Sequence, residues 1–334
     1  MSSNSFTRVI RFQDFGPPQQ VLQCRSEPTP PPPKPDQILV KILCAPINPA
    51  DLNFAEGTYG KKPALPATPG NEAVGRVIAI GDSLSDQFQL DDHVIFLNRT
   101  GLWRDHALAT AHQVLKIPGS IAPNQASMLS VNPPTAALLL EYFTPLKSGD
   151  YIAQNASNSG VGQALIQIAN ALGIHTINFV RRKELFHDLK ALGANHVFVD
   201  DDNGFTAARE TIEQPPTIAF NAVGGESALR LMDLLAPDGI HVTYGAMSRR
   251  SLKVPNKFLI FKNISLRGLW VTRWLEHASA TEIENLLNPI AQLMLEAKLS
   301  LPVEKSYPPE KITAAIEHAQ SQGRSGKILL DFSS

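Results

Sequence analysis

The sequence predicts an α/β protein of two domains, one mostly β and one a doubly wound parallel sheet. Three observations carry this expectation. Short strand-like runs separated by turn residues crowd the first third of the chain. From about residue 121, apolar strands alternate with amphipathic helices. At one strand–helix junction, NASNSGVG (155–162), small residues gather as they do around a bound phosphate.

In the first third, QILVKILCA (37–45) is apolar and bounded by Asp36 and Pro46. AVGRVIAIG (73–81) and DHVIFL (92–97) follow as further strands. PTPPPPKP (28–35) reads as an extended polyproline connector between strands, with docking to a proline-binding module as the other use of such a run. In the middle, DYIAQ (150–154) leads to SGVGQALIQIANALG (159–173) and then to HTINFV (175–180). TIAFNAV (217–223), ESALRLMDLLAPDG (226–239) and IHVTYGA (240–246) repeat the strand–helix–strand order. That order implies parallel strands with helices on both faces. GKILLDF (326–332) is a last strand, expected to return to the first domain. The expected domains are 1–120 with 299–334, and 121–298.

Composition narrows the function. With 334 residues the chain fills two ordinary domains, and 43% hydrophobic residues allow a large core. Lys and Arg number 30 against 31 Asp and Glu, so charge gives no reason to expect a nucleic-acid or membrane partner. No apolar run reaches the roughly 20 residues that cross a bilayer. The start, MSSNSFTRVIRF, lacks the apolar core of a secretory signal. Cys24 and Cys44 are the two cysteines, too few for a disulfide framework or a Cys-rich metal site. A reducing, cytoplasmic setting fits them.

The junction 155–162 needs close backbone approach and free N–H groups at a helix start. Gly160 and Gly162 serve these needs, while Ala156 and Ser159 stand where the dinucleotide fingerprint often has further glycine. The motif is a relaxed G-x-G-x-x-G inside a βαβ unit, which points to a Rossmann cofactor domain. The following strand ends in Arg181-Arg182-Lys183. An NAD site usually carries an acidic residue there, whereas cations attract the 2′-phosphate of NADPH, arginine through paired hydrogen bonds. The same run also reads as a solvated surface cluster. NADPH is the expected cofactor.

Several stretches together resemble a known family. APINPADLNFAEGTYG (45–60), LPATPGNEAVG (65–75), VNPPTAA (131–137), IAQNASNSGVGQALIQIANALG (152–173), VTYGAMS (242–248) and LIFKNISLRGLW (259–270) are similar to the medium-chain dehydrogenase/reductases. Within these the chain resembles the mitochondrial-type 2-enoyl thioester reductases. QNASNSGVGQ is distinctive, whereas the tyrosine motif also resembles that of zinc-free quinone reductases. The resemblance implies a GroES-like β-rich catalytic domain beside the Rossmann domain. It also implies reduction of an enoyl-CoA or enoyl-acyl-carrier-protein double bond, and a homodimer formed near 259–271.

The resemblance further implies roles for individual residues. Asn132, Asn158, Ser159, Gly160 and Val161 would contact the cofactor, and Arg181, Arg182 and Lys183 its 2′-phosphate. Tyr244, Gly245, Ala246 and Met247, with Leu269, Trp270 and Val271, would border the nicotinamide and acyl cleft, with Lys327 nearby. Ala246 replaces the family's usual second glycine and adds a methyl group there. Tyr59 would be the proton donor. A phenol has pKa about 10 and so holds its proton at neutral pH. Tyr59 as a loop-lining residue is the plainer alternative. Zinc-dependent relatives have Cys and His where this chain has Asn48 and Asn71, and two amides cannot replace such ligands. Glu72 is expected to be structural, and His93 and His106 to pack or face solvent. A quinone or enone reductase remains open as a second function, and an NADPH-binding sensor or structural protein as a third.

Overall fold

A computed structural model describes residues 6–97, 101–321 and 323–333. The chain forms two compact units, 1–131 with 278–334, and 132–277. Along the first unit run β1 (Phe6–Arg11), β2 (Gln23–Pro28), β3 (Gln37–Pro46), β4 (Val74–Ile80), β5 (His93–Phe96), β6 (His106–Thr110) and β7 (Val114–Ile117). The second holds β8 (Tyr151–Gln154), β9 (His175–Val180), β10 (His196–Val199), β11 (Ile218–Asn221), β12 (Ile240–Thr243) and β13 (Ser265–Gly268). β14 (Val303–Tyr307) and β15 (Lys327–Asp331) complete the first.

The first unit is built on a seven-stranded sheet ordered β14-β15-β3-β4-β5-β7, with β6 also on β3. The expected return of the C-terminal strand is seen: Leu330 pairs with Ala45 in an antiparallel ladder. β1 and β2 form a separate antiparallel hairpin, from Phe6 opposite Pro28 to Arg11 opposite Gln23. The prolines that follow β2 form no regular element up to the turn at Pro35–Asp36. The core gathers Ile38, Val40, Ile42, Val77, Val94, Phe96, Trp103, Ile328 and Leu330, with Ile312 and Ile316 from the helix Ile312–Gln320. A helix of the same unit, Pro49–Glu56, carries buried Leu52 and Ala55.

In the second unit the sheet order is β10-β9-β8-β11-β12-β13, all parallel. Chain order reverses between β8 and β11, the switch point at which open α/β sheets bind ligands. β8 and β11 are buried at every position, which is why they read as continuous apolar runs. The helix Gly160–Ala171 buries Ala164, Leu165, Ile168 and Ala169, an i, i+1, i+4, i+5 stripe. Phe179 and Phe205 stack in the core with Leu231 and Phe258. Both expected folds are present, a GroES-like β unit and a Rossmann-type parallel sheet.

Candidate active site

The first unit holds a buried polar cluster at the start of the helix Pro49–Glu56, which runs toward Tyr59. Asn48 precedes the helix Pro49–Glu56, with Pro49 at a first-turn position that needs no N–H. Asp51, fully buried, accepts from the Asn48 backbone N–H at 2.9 Å and from the Asn71 backbone N–H at 2.9 Å. The Asn71 side-chain amide also donates to Asp51. Asn48 Nδ2 donates to Glu72 Oε1 at 2.7 Å, and the Lys327 ammonium donates to Asn48 Oδ1. Burial pushes the Asp51 carboxyl up to about 6, against the pull of these donors and of Lys327. Desolvation lowers the Lys327 ammonium, with Glu72 and Asp51 opposing.

At its other end the same helix stops at Gly57, left-handed at φ 73°. A side chain there would also meet the Phe15 ring at 2.9 Å. Glycine satisfies both constraints. The Thr58 and Tyr59 N–H groups then donate to the Asn53 carbonyl at 2.9 and 3.2 Å. Tyr59 is half-buried.

In the second unit, β8 turns sharply into the helix Gly160–Ala171. Ala156 is left-handed at φ 48°, which explains why glycine is favoured where the sequence has alanine. Ser159 caps the helix, its hydroxyl accepting from Gly162 N–H at 3.1 Å. A Cβ at position 162 would lie 2.6 Å from the Ser157 carbonyl oxygen, so the helix packs on the turn only with glycine there. This presents the first N–H groups of a twelve-residue helix at the C-terminal edge of the sheet.

Buried amides frame the turn. Asn155 donates to Asn221 Oδ1 and to Ser227 Oγ, both at 2.8 Å, and accepts from Ala222 N–H at 2.7 Å. Ser227 donates to Asp200, which Arg230 grips at 2.8 Å. Gln154 Nε2 donates to the Gly162 carbonyl at 3.0 Å and to Asn178 Oδ1 at 2.8 Å. Over the end of β11, Tyr244, Met247 and Ser248 N–H groups donate to the Asn221, Ala222 and Val223 carbonyls. Burial raises the Tyr244 phenol well above its ordinary value, with Ser159 opposing. Gly245 lies against Ala222, where a Cβ would come within 3.0 Å of the carbonyl oxygen. Ala246 is exposed, so its methyl is accommodated without displacing the chain.

Of the residues expected to bind a dinucleotide, Asn158–Val161, Arg181–Lys183, Tyr244–Met247 and Leu269–Val271 follow β8, β9, β12 and β13, whereas Asn132 begins a helix and Lys327 begins β15. Arg181, Arg182 and Lys183 follow β9 and are all exposed. Leu269 N–H donates to the Thr243 carbonyl at 3.0 Å, ahead of exposed Trp270 and buried Val271. Asn132 is buried, and its Nδ2 has no hydrogen-bond partner. A buried amide donor without a partner is what a missing ligand acceptor leaves. With the constrained turn and the open N–H groups, this set suits a dinucleotide. Lys327, expected near the cofactor, belongs to the first unit and reaches Asn48.

Sequence reasoning missed Asp51 and the Asn155–Asn221–Ser227–Asp200 chain. Asp51 had a signal: Asn-Pro-x-Asp is a helix-start pattern, with the acid placed to cap the first turn. The other chain had none.

Residues 34–119 match the family described as Alcohol dehydrogenase GroES-like domain, and residues 160–288 that described as Zinc-binding dehydrogenase. The mitochondrial enoyl-acyl-carrier-protein reductase of Rattus norvegicus is 38% identical over 324 residues, 95% of this chain and 86% of that protein. The chain belongs to the enoyl-acyl-carrier-protein reductase family of medium-chain dehydrogenase/reductases. The Xenopus tropicalis member is 38% identical over 98% of this chain and 96% of its own. Among solved structures, a Candida tropicalis mitochondrial 2-enoyl thioester reductase heterodimer, Etr1p/Etr2p, has a TM-score of 0.88 at 29% identity, covering 98% of this chain and 100% of that one. A putative NADPH:quinone reductase of Bacillus thuringiensis has a TM-score of 0.90 at 25% identity, covering 98% and 99%.

Membership in this family makes the chain an oxidoreductase. The zinc in one family description does not suit the residues here. Asn48 and Asn71 are amides committed to carboxylates, and an ammonium occupies the same cluster. The Asn48 amide oxygen already accepts from Lys327, and amides are poor replacements for the strong ligands catalytic zinc needs. Among the described residues, no three His, Cys, Asp or Glu come together in a metal-holding group. His106 instead sits against Thr7, its ring nitrogen 2.9 Å from the hydroxyl. No helix among the described residues is long and apolar enough to cross a membrane.

Proposed function

We propose that this chain reduces the carbon–carbon double bond of a 2-enoyl thioester with NADPH, and does so without zinc. The near full-length match to enoyl reductases carries the reading, and Tyr59, in a stretch that resembles the family's, supports it. A complex of Etr1p with NADP and crotonyl-CoA, 29% identical with a TM-score of 0.88, supports both cofactor and substrate class.

NADPH supplies the hydride that adds to the β-carbon. The chain's part is to hold the dinucleotide and to deliver a proton. The helix start at Ser159–Gly162 receives the pyrophosphate, Asn132 offers its amide, and Arg181, Arg182 and Lys183 take the 2′-phosphate. Asn158, Val161, the Tyr244–Met247 loop and Leu269–Val271 line the remainder. As the hydride pair forms the C–H bond at the β-carbon, the π pair of the double bond shifts toward the α-carbon and the thioester oxygen. Tyr59 gives its hydroxyl proton to that α-carbon, and the phenolate is reprotonated from solvent. No Lewis acid is needed, because the thioester is already activated for conjugate addition.

The partners in this reading are a CoA or acyl-carrier-protein thioester and a second copy of the chain. The exposed edge strand β13 and the exposed Ile260, Phe261 and Leu266 favour a homodimer. Both cysteines are free thiols, which favours a reducing compartment such as the cytoplasm. The second reading, a quinone or enone reductase, draws on the Bacillus thuringiensis structure.

Tyr59→Phe separates the two. Turnover of crotonyl-CoA should fall about 10²–10⁴-fold, mainly in kcat, the usual worth of a positioned acid. Quinone turnover, which needs no proton on carbon, should change little. Near-normal crotonyl-CoA turnover by the variant removes Tyr59 from the mechanism. Rapid quinone reduction with no enoyl activity in the unaltered protein replaces the proposed function with the second.

A further inference from the structure

We infer that Asp51 is a positioning residue for Tyr59, fixing the helix that carries the tyrosine loop, with Lys327 as the counter-charge that keeps the clamp in place. The inference rests on the reading above, in which Tyr59 is the proton donor.

The route between the two residues is short. Asp51 lies two residues before Asn53, and the Asn53 carbonyl receives both the Thr58 and the Tyr59 N–H groups. Whatever holds Asp51 therefore holds the backbone atom on which the tyrosine loop closes. Asp51 is held from two sides. Its Oδ2 takes the Asn48 N–H, just ahead of the helix, and its Oδ1 takes the backbone and side chain of Asn71. The carboxylate thus bolts the helix start to the segment leaving β3 and to the loop before β4. A single hydroxyl or amide at position 51 could not accept all three N–H donors with both oxygens.

Two buried carboxylates that share Asn48 as a partner call for a cation. Asp51 and Glu72 are both fully inaccessible to solvent. The Lys327 ammonium is fastened to Asn48 Oδ1, while Asn48 Nδ2 is fastened to Glu72, so one amide links cation to anion. Burial raises the Asp51 carboxyl and lowers the Lys327 ammonium, and the attraction of the ammonium to Asp51 and Glu72 opposes both shifts. Burying the pair uncompensated would be costly, and the cluster would open.

Acid catalysis makes the reaction sensitive to such a clamp. A displacement of about 1 Å at a catalytic group can cost up to about a hundredfold in rate. A residue that merely stabilises the fold would lower the amount of active protein without altering how much Tyr59 contributes.

The test is a double-mutant cycle on purified, folded protein with NADPH and crotonyl-CoA. Asp51→Asn in the unaltered background should lower kcat about tenfold to a hundredfold, with NADPH affinity within about twofold. In a Tyr59→Phe background the same change should lower kcat less than about twofold, because the proton it positions is already absent. Equal losses in both backgrounds, or no loss in either, overturn the proposal. If Asp51→Asn does not fold, Asn71→Ala removes one donor from the clamp while leaving the backbone N–H. It should show a smaller loss with the same dependence on Tyr59, and a loss independent of Tyr59 again overturns the proposal. Tyr59→Phe alone reports on the underlying mechanism. Near-normal turnover there sinks the acid role and the positioning role together, whereas a large drop with equal Asp51 effects sinks positioning alone.

Discussion

Replacing Gly162 by alanine should damage cofactor binding more than it damages the fold. The new Cβ would stand 2.6 Å from the Ser157 carbonyl oxygen and 2.7 Å from its Cα, both backbone atoms. Neither can swing aside like a side chain. Ser157 is fully buried, its N–H donates to the Phe179 carbonyl at 3.2 Å, and its hydroxyl donates to the Gln154 and Phe179 carbonyls. Relief requires moving Ser157 by roughly half an ångström or more, or tilting the helix start. Straining two or three hydrogen bonds at about 1 kcal/mol each costs about 2–3 kcal/mol. Alanine in a helix returns up to about 1 kcal/mol relative to glycine. The net loss should be about 1–2 kcal/mol in the second unit, read as a lower urea midpoint. Because the same shift misaligns the helix N–H groups, NADPH affinity should fall at least about tenfold by fluorescence titration. Gly119→Ala is the control, since its Cβ would find the nearest atom 3.9 Å away. Unchanged NADPH affinity in Gly162→Ala would refute the reasoning.

Two further outcomes are expected. Removing Arg181 and Arg182 together should weaken NADPH at least about tenfold while leaving NADH nearly unaffected, because each lost contact is to a charged phosphate; equal use of both cofactors by the unaltered protein would end the assignment. Elemental analysis should find no stoichiometric zinc in the purified protein, and chelators should leave its turnover intact; one zinc per chain with activity lost on chelation would overturn the reading of Asn48 and Asn71.

What the sequence revealed depended on whether a signal was local. The elements at 150–180 and 217–246 were legible because buried parallel strands read as apolar runs and their helices keep a 3.6-residue period, whereas His196–Val199 and the helices Phe186–Ala191 and Asp202–Thr211 were not read. The tight turn at 155–162 was legible too, down to Ala156, whose left-handed backbone stands at a position flagged for glycine. β2 was not, since QCRSEP exposes most of its residues and shows no apolar face. The clamp around Asp51 was invisible because its cation lies 279 residues from Asn48. Asn155 and Asn221 are 66 residues apart, and neither announces the other. Long-range polar pairs follow from tertiary packing, and no periodicity encodes them.

Beneath the phosphate turn the Rossmann sheet is lined with amides, Gln154, Asn155, Asn178 and Asn221, where most cores place aliphatic side chains. This has a consequence for anyone redesigning the protein. Each amide satisfies another, so replacing one alone strands a buried partner at a cost of about 1–3 kcal/mol, whereas exchanging a bonded pair for apolar residues of similar shape can be nearly neutral. Libraries that vary these positions singly will therefore return almost nothing but casualties. Viable alternatives lie across a valley that only coordinated substitution can cross, which would make this patch slow to drift even if catalysis never touched it.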